Sequence, residues 1–422
     1  MTRMARSLPV ALGLCLIAGC ASVDPYELSP VAQRLQRDDE VGICARFFQA
    51  SDRLIDAVAT RDVQAVRVPG FPHLRVDRVL AELAVESGDQ SVSQARVWRE
   101  ALAALDEAGR RVELLNAGPD AAVSIERLDE CRQLLATADQ ADLPALVEAA
   151  KVPDDYSGSM RVLGLYPLTR YAFAAGIQNW QTSTLADFAA RAGPDPPGPP
   201  RRYYGLAEQE PRVPTFKDLA LPGLSTIARE TLAGLIVRHA PRFAIVTATD
   251  DDLPGALVWQ RGEGGELRIG VATEQPVLYV RTGQTHFSGR WRLQLIYTVW
   301  FPARPPAHAY DVLAGRLDGL LWRVTVAENG SPLLYDTIHP CGCYHLFIPT
   351  ERVRARPQGD GVDEGLFVPQ TLPTPAADER VVLKLATGTH YLQRVEIAAA
   401  HRDAGLTLAL RDDEELRMLP LP

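Results

Sequence analysis

His339-Pro340-Cys341-Gly342-Cys343-Tyr344-His345 places two imidazoles and two thiols within seven residues. Such groups can hold a soft or borderline transition metal, with zinc and copper the natural occupants. Two thiols one residue apart can also close a small disulfide, and a thiol beside an imidazole can act as a nucleophile. A structural turn needs none of this chemistry. In an unbroken strand all four side chains would share one face, with the outer histidines roughly 20 Å apart. Pro340 and Gly342 argue instead for a turn, which would gather His339, Cys341 and Cys343 and leave His345 to start the next strand.

Two further histidines sit in similar surroundings. His286 ends Thr282-Gly283-Gln284-Thr285-His286, and His390 ends Thr387-Gly388-Thr389-His390. Both read as sheet-rim residues, and each could add a ligand or a base. The candidate metal set is therefore His286, His339, Cys341, Cys343, His345 and His390, with Asp336 placed to orient one of the imidazoles. His286 and His339 are expected at the same sheet end, forming one site open to a water for hydrolysis. Asp250-Asp251-Asp252 reads as a turn, because the ligand spacing of a calcium loop is missing. The chain has no Gly-x-Ser-x-Gly elbow, His-Glu-x-x-His, phosphate loop or dinucleotide fingerprint.

The elements that position these groups follow from the pattern of the chain. From residue 31 to 190 the apolar spacing is helical: Cys44, Phe47, Phe48, Ser51, Ile55 and Val58 form one stripe. Trp98, Ala101, Leu102, Leu105 and Ala108 form a second, and Ile125, Leu128, Cys131 and Leu135 a third. Phe173, Ile177 and Trp180 lie in the most apolar stretch and read as core. The prolines of 193–202 interrupt regular structure, so 191–215 is expected to be a connector. From 216 to 422, after one helix near 223–239, the period becomes two and the segments are rich in Val, Ile, Tyr and Trp. Asn329-Gly330 marks a hairpin within them. The expected class is α+β: a helical N-terminal domain followed by an antiparallel β domain, either a sandwich or a partly closed barrel.

The N-terminus fixes the expected setting. Arg3 and Arg6 precede the apolar run Leu8–Ile17, which is too short to span a bilayer comfortably. The run closes in Ile17-Ala18-Gly19-Cys20, which resembles the lipobox of bacterial lipoprotein precursors. The resemblance covers residues 1–20. It implies a signal peptide over 1–19, lipidation of Cys20, a tether over 20–30 and attachment to the membrane through lipid such as palmitate. Ala21 after Cys20 favours the outer membrane, facing the periplasm.

That compartment is oxidising, and Cys44, Cys131, Cys341 and Cys343 remain after residue 20. Spacing and layout favour a Cys44–Cys131 disulfide over two buried thiols. Removing residues 1–19 takes away Arg3 and Arg6 and moves the formal charge from −9 to −11. An acidic body of this kind argues against nucleic acid as a partner. Two functions stay open: a transition-metal hydrolytic site in the β domain, or a non-enzymatic module that binds an envelope protein or polymer.

Overall fold

The computed structural model describes residues 34–87, 92–118, 123–153, 166–190, 198–207, 213–214, 219, 226–262, 264–306, 309, 311, 313–356, 366–400 and 405–421. The lipobox-like segment, Cys20 and the tether lie outside them. The chain divides into two compact units, 1–153 and 154–422.

The first unit is built on helices. Helix α1 (Glu40–Ala57) starts where Asp39 accepts from the Gly42 amide at 3.1 Å, satisfying one of the donors a helix N-terminus leaves open. Its buried face carries Cys44, Phe48, Ser51, Asp52 and Ile55. Val58 caps the helix and is exposed, so the expected stripe ends one turn early. Helices α2 (Arg78–Ser87), α3 (Val92–Ala117), α4 (Ile125–Ala138) and α5 (Leu143–Ala149) follow. Ser124 caps α4 by accepting from the Arg127 amide, and Leu128, Cys131 and Leu135 face inward. Cys44 and Cys131 are joined by a disulfide that ties α1 to α4, with 5.1 Å between their Cα atoms.

Between α1 and α2 the structure departs from an all-helical reading. Strands β1 (Val66–Val68) and β2 (Phe71–Val76) form a hairpin that turns at Pro69-Gly70, with Gly70 at φ +80°. β2 is buried along its whole length, including His73 and Arg75. Arg75 and Arg110 are fully enclosed with Asp52, Asp106 and Glu113. Arg110 reaches Asp52 at 2.8 Å and Asp106 at 2.9 Å, and Arg75 reaches Glu113 at 2.6 Å. Burial of charge is tolerated here because each ion meets an opposite one.

The second unit is a β sandwich. Helix α6 (Tyr166–Ala190) belongs to it, because Phe188 enters the sandwich core and Trp180 packs against that core. The boundary therefore falls before α6, not after residue 190. The residues that follow the prolines, expected as connector, form strand β3 (Arg201–Gly205). Next come α7 (Arg229–His239), β4 (Arg242–Val246), a 3-10 turn (Asp250–Asp252), β5 (Ala256–Arg261) and β6 (Leu267–Ala272). The remaining strands are β7 (Val277–Phe287), β8 (Arg290–Arg304), β9 (Gly315–Val326), β10 (Pro332–Ile338), β11 (Leu346–Pro349), β12 (Glu379–Leu385), β13 (Leu392–Ala399), β14 (Leu406–Thr407) and β15 (Ala409–Asp412).

One sheet runs β11-β10-β9-β8-β7-β15 and the other β13-β12-β4-β3-β14. Leu278, Leu295, Tyr297, Val299, Trp322 and Tyr335 from the first meet Tyr204, Phe243, Ile245, Leu383 and Val395 from the second in one buried core. No described sheet closes into a barrel, so the sandwich is the form adopted. Most pairs are antiparallel, but β4–β12, β3–β14 and β7–β15 are parallel. β4 and β12 are separated in sequence by β5 to β11, a connection long enough to permit parallel pairing. Among the described residues no helix is long and apolar enough to cross a membrane.

Candidate functional site

The 339–343 segment is a tight hairpin turn. The Gly342 amide donates to the His339 carbonyl at 2.9 Å, and the His339 amide donates to the Cys343 carbonyl at 3.1 Å. Gly342 has φ +82°, where a side chain would be strained. Cys341 and Cys343 stand on the outside of this turn, both exposed. The turn predicted from Pro340 and Gly342 is thus present, with both thiols exposed and His339 buried.

Strand alternation explains where each imidazole goes. On β10, Tyr335 and Thr337 point into the sandwich, and His339 continues that face and is buried. Asp336 points to the other face. The turn and Tyr344, at φ +60°, then reset the alternation, so that Leu346 and Ile348 are buried and His345 lies on the outer face with Phe347. His339 and His345 therefore serve opposite sides of one sheet.

On the outer face, His345 Nε2 lies 3.0 Å from Asp336 Oδ1 and 3.0 Å from Arg323 Nη2. Arg323 Nε donates to the same carboxylate oxygen at 2.6 Å. Arg323 and Asp336 are direct cross-strand partners on β9 and β10. Asp336 does orient a histidine, as its position suggested, but the ring is tied to an arginine and a carboxylate rather than offered to an ion.

His286 is placed elsewhere. It pairs with Trp291 across the β7–β8 hairpin, while the level of His339 corresponds to Leu320 and, on β8, to Val299. Eight residues along β8 separate the two levels, roughly 26 Å at strand rise. The shared His286–His339 site expected from the sequence is not formed: the two histidines mark opposite ends of the sheet, because β10 stops at the end from which β8 leaves for β9. Among the described residues no group of three or more His, Cys, Asp or Glu is placed to hold a metal ion.

What the fold does bring together is His339, His390, Asp318 and Asp252. Asp318, near the start of β9, accepts from His390 Nδ1 at 2.7 Å and meets His339 Nδ1 at 3.2 Å. Asp252 Oδ1 lies 3.5 Å from His390 Nε2. Asp252 also accepts from the Gly388 amide at 2.6 Å, the Thr387 hydroxyl at 2.7 Å and the Ala248 amide at 2.8 Å. His390 is wholly buried and lies flat on Phe301, with 3.9 Å between ring centres.

Charge follows this geometry. Burial alone would raise both carboxyls. Hydrogen bonds from His339 and His390 hold Asp318 well below the usual carboxylate range, and the nearby His390 ring together with hydrogen bonds from Gly388, Ala248 and Thr387 does so for Asp252. Burial opposes charge on His390, but Asp252 and Asp318 outweigh it and raise its pKa. Neither aspartate was legible as a site residue. Asp252 reads in the sequence as part of a turn, and Asp318 has no local pattern at all.

Beside this network lies a small cleft lined by Trp180 and Thr184 of α6, His339, Tyr344, Leu346 and Tyr391. The rings of Tyr344 and Tyr391 are 4.4 Å apart, and Trp180 is 5.2 Å from Tyr344. His339 meets both tyrosines edge-on at 5.5 Å. Arg304 lies over Tyr391 at 5.0 Å and donates to its hydroxyl at 2.9 Å. Asp318 thus fixes the His339 ring from inside, while that ring lines the cleft.

No family model matches the chain, and no curated protein matches it. Two solved structures show weak likeness. One, titled "Toxin fold for microbial attack and plant defense", is 14% identical with a TM-score of 0.25, covering 50% of this chain and 83% of that one. The other, "NLPPya in complex with mannosamine", is 15% identical with a TM-score of 0.23, covering 48% of this chain and 79% of that one.

Proposed function

We propose that the chain is a lipid-anchored envelope protein of the outer membrane, facing the periplasm, whose β sandwich is a non-enzymatic module that binds a polymer of the envelope. The anchoring part rests on Ile17-Ala18-Gly19-Cys20. The binding part rests on one observation: Trp180, Tyr344 and Tyr391 converge, with Arg304 over the tyrosines, at a single cleft. Half-buried aromatic rings offer apolar contact with polar tips, the combination that holds an amphipathic ligand. The histidines and aspartates beside the cleft are bonded to one another, which supports a scaffold role for them.

Two measurements test the reading. Cys20→Ala should leave an uncleaved precursor that no longer fractionates with the outer membrane; normal maturation and fractionation of that variant would refute the anchor. The full chain should co-sediment with insoluble envelope polymer, and Tyr344→Ala and Tyr391→Ala should each weaken that binding while the fold persists. Equal sedimentation of all three, or of none, would overturn the binding site.

A further inference from the structure

We propose that Cys341 and Cys343 form a redox-active dithiol that exchanges with thiols and disulfides of other proteins in its compartment. The chain already holds one disulfide, Cys44–Cys131, and buries it between two helices. Such a bond is maintained where the surroundings are oxidising. In the same surroundings Cys341 and Cys343 are exposed on a turn, one residue apart, where a macromolecular partner can reach them.

The turn supports pairing of these two rather than independent reaction. Two residues flanking a single glycine have Cα atoms at most about 7 Å apart, and a folded turn brings them into the ~4.4–6.8 Å range a disulfide spans. Gly342, at φ +82°, has no neighbour within contact of an added Cβ, so its role is conformational: it lets the chain reverse between the two cysteines. Both ends of the turn are held. The His339 amide is bonded to the Cys343 carbonyl, and the His339 ring is locked to buried Asp318. The dithiol therefore stays together when one sulfur reacts. The ring it closes is small, and a strained disulfide is a labile one that gives up its bond to an incoming thiol.

The exchange balances without any further reagent. One thiolate of the pair attacks a sulfur of the partner's disulfide, forming a mixed disulfide and releasing the partner's first thiolate. The other thiolate of the pair then attacks the mixed disulfide, closing the Cys341–Cys343 bond and releasing the partner's second thiolate. The two protons lost by the pair go to the two thiolates released. The dithiol is oxidised and the partner disulfide reduced; the reverse reaction oxidises a partner dithiol.

The test equilibrates the full chain in a series of reduced and oxidised glutathione, blocks remaining thiols with a maleimide and maps the peptides by mass. Cys341 and Cys343 should lose reactivity together at one glutathione ratio, giving a single peptide lighter by two hydrogens, while Cys44–Cys131 stays intact. Cys341→Ser should instead accumulate one glutathione on Cys343, with unchanged circular dichroism. Stable glutathione adducts on the wild-type pair, a disulfide-linked dimer, or two thiols that stay alkylatable in the most oxidising buffer would each overturn the proposal. The wild-type titration decides the matter whether or not the variant folds.

Discussion

His390 donates from Nδ1 to Asp318 at 2.7 Å while holding a backbone φ of +50°, a conformation that costs an ordinary residue free energy. The bond and the flat stacking on Phe301 are what hold it there. It joins the loop before β13 to β9, and through Asp252 to the turn after β4.

Breaking this link should cost more than a surface ion pair. Asp318→Ala leaves His339 and His390 buried without their shared acceptor, a change expected to destabilise the second unit by about 3–5 kcal/mol. Denaturant unfolding checks this; a loss below about 1 kcal/mol would mean that the loops are held by packing alone.

The same network gives the sandwich a defined pH response. His390 has its pKa raised in the folded state, so its contribution is fully present below its unfolded value and is lost as pH rises through the folded one. Asp252 and Asp318 are lowered, so theirs is present above the unfolded carboxylate value and lost as pH falls toward the folded ones. Stability should therefore decline both on acidification below about pH 4 and on passing upward from about pH 6.5. His390→Phe should flatten the upper decline and also make the acid limb shallower, because His390 helps hold Asp252 and Asp318 low; an unchanged profile would count against His390 as the titrating group.

The Cys44–Cys131 bridge closes a long loop, with the two cysteines 87 positions apart. Chain-entropy reasoning gives roughly 4–5 kcal/mol for a loop of this order. Cys131→Ala should lower the stability of the first unit by an amount approaching that figure, read from its denaturant midpoint. Alkylation of Cys44 and Cys131 themselves in protein recovered from an oxidising compartment would show that the bridge does not form.

Arg110 sits at the centre of the first unit's buried ions, and its pKa is raised by Asp106 and Asp52 against the effect of burial. Arg110→Ala should destabilise that unit by about 3–5 kcal/mol, because it removes the buried guanidinium that Asp106 and Asp52 share and leaves Asp106 to Arg75 and Arg132 and Asp52 to Arg67. Replacing Arg110 with methionine together with Asp106→Asn should recover part of the loss. If the single and double variants unfold alike, the ions are not coupled.

The sequence by itself determined the order of classes, helices before strands, because periods of 3.6 and 2 are local properties. It also made the Asn329-Gly330 hairpin, the 339–343 turn and the faces carrying Cys44 and Cys131 readable, since turn chemistry and helical stripes need only neighbouring residues. It misplaced α6 and β3, because the Pro-rich stretch between them says where regular structure stops and not which core each flank joins. Only the tertiary structure decided which histidines meet. His286 and His339 both read as strand-end residues, but strand direction sends them to opposite ends of one sheet. His339 and His390 lie 51 positions apart, yet they share Asp318. Asp318 and Arg110 carry no local sequence signal, because a charge is distinguished as buried only by the opposite charge that folding brings to it.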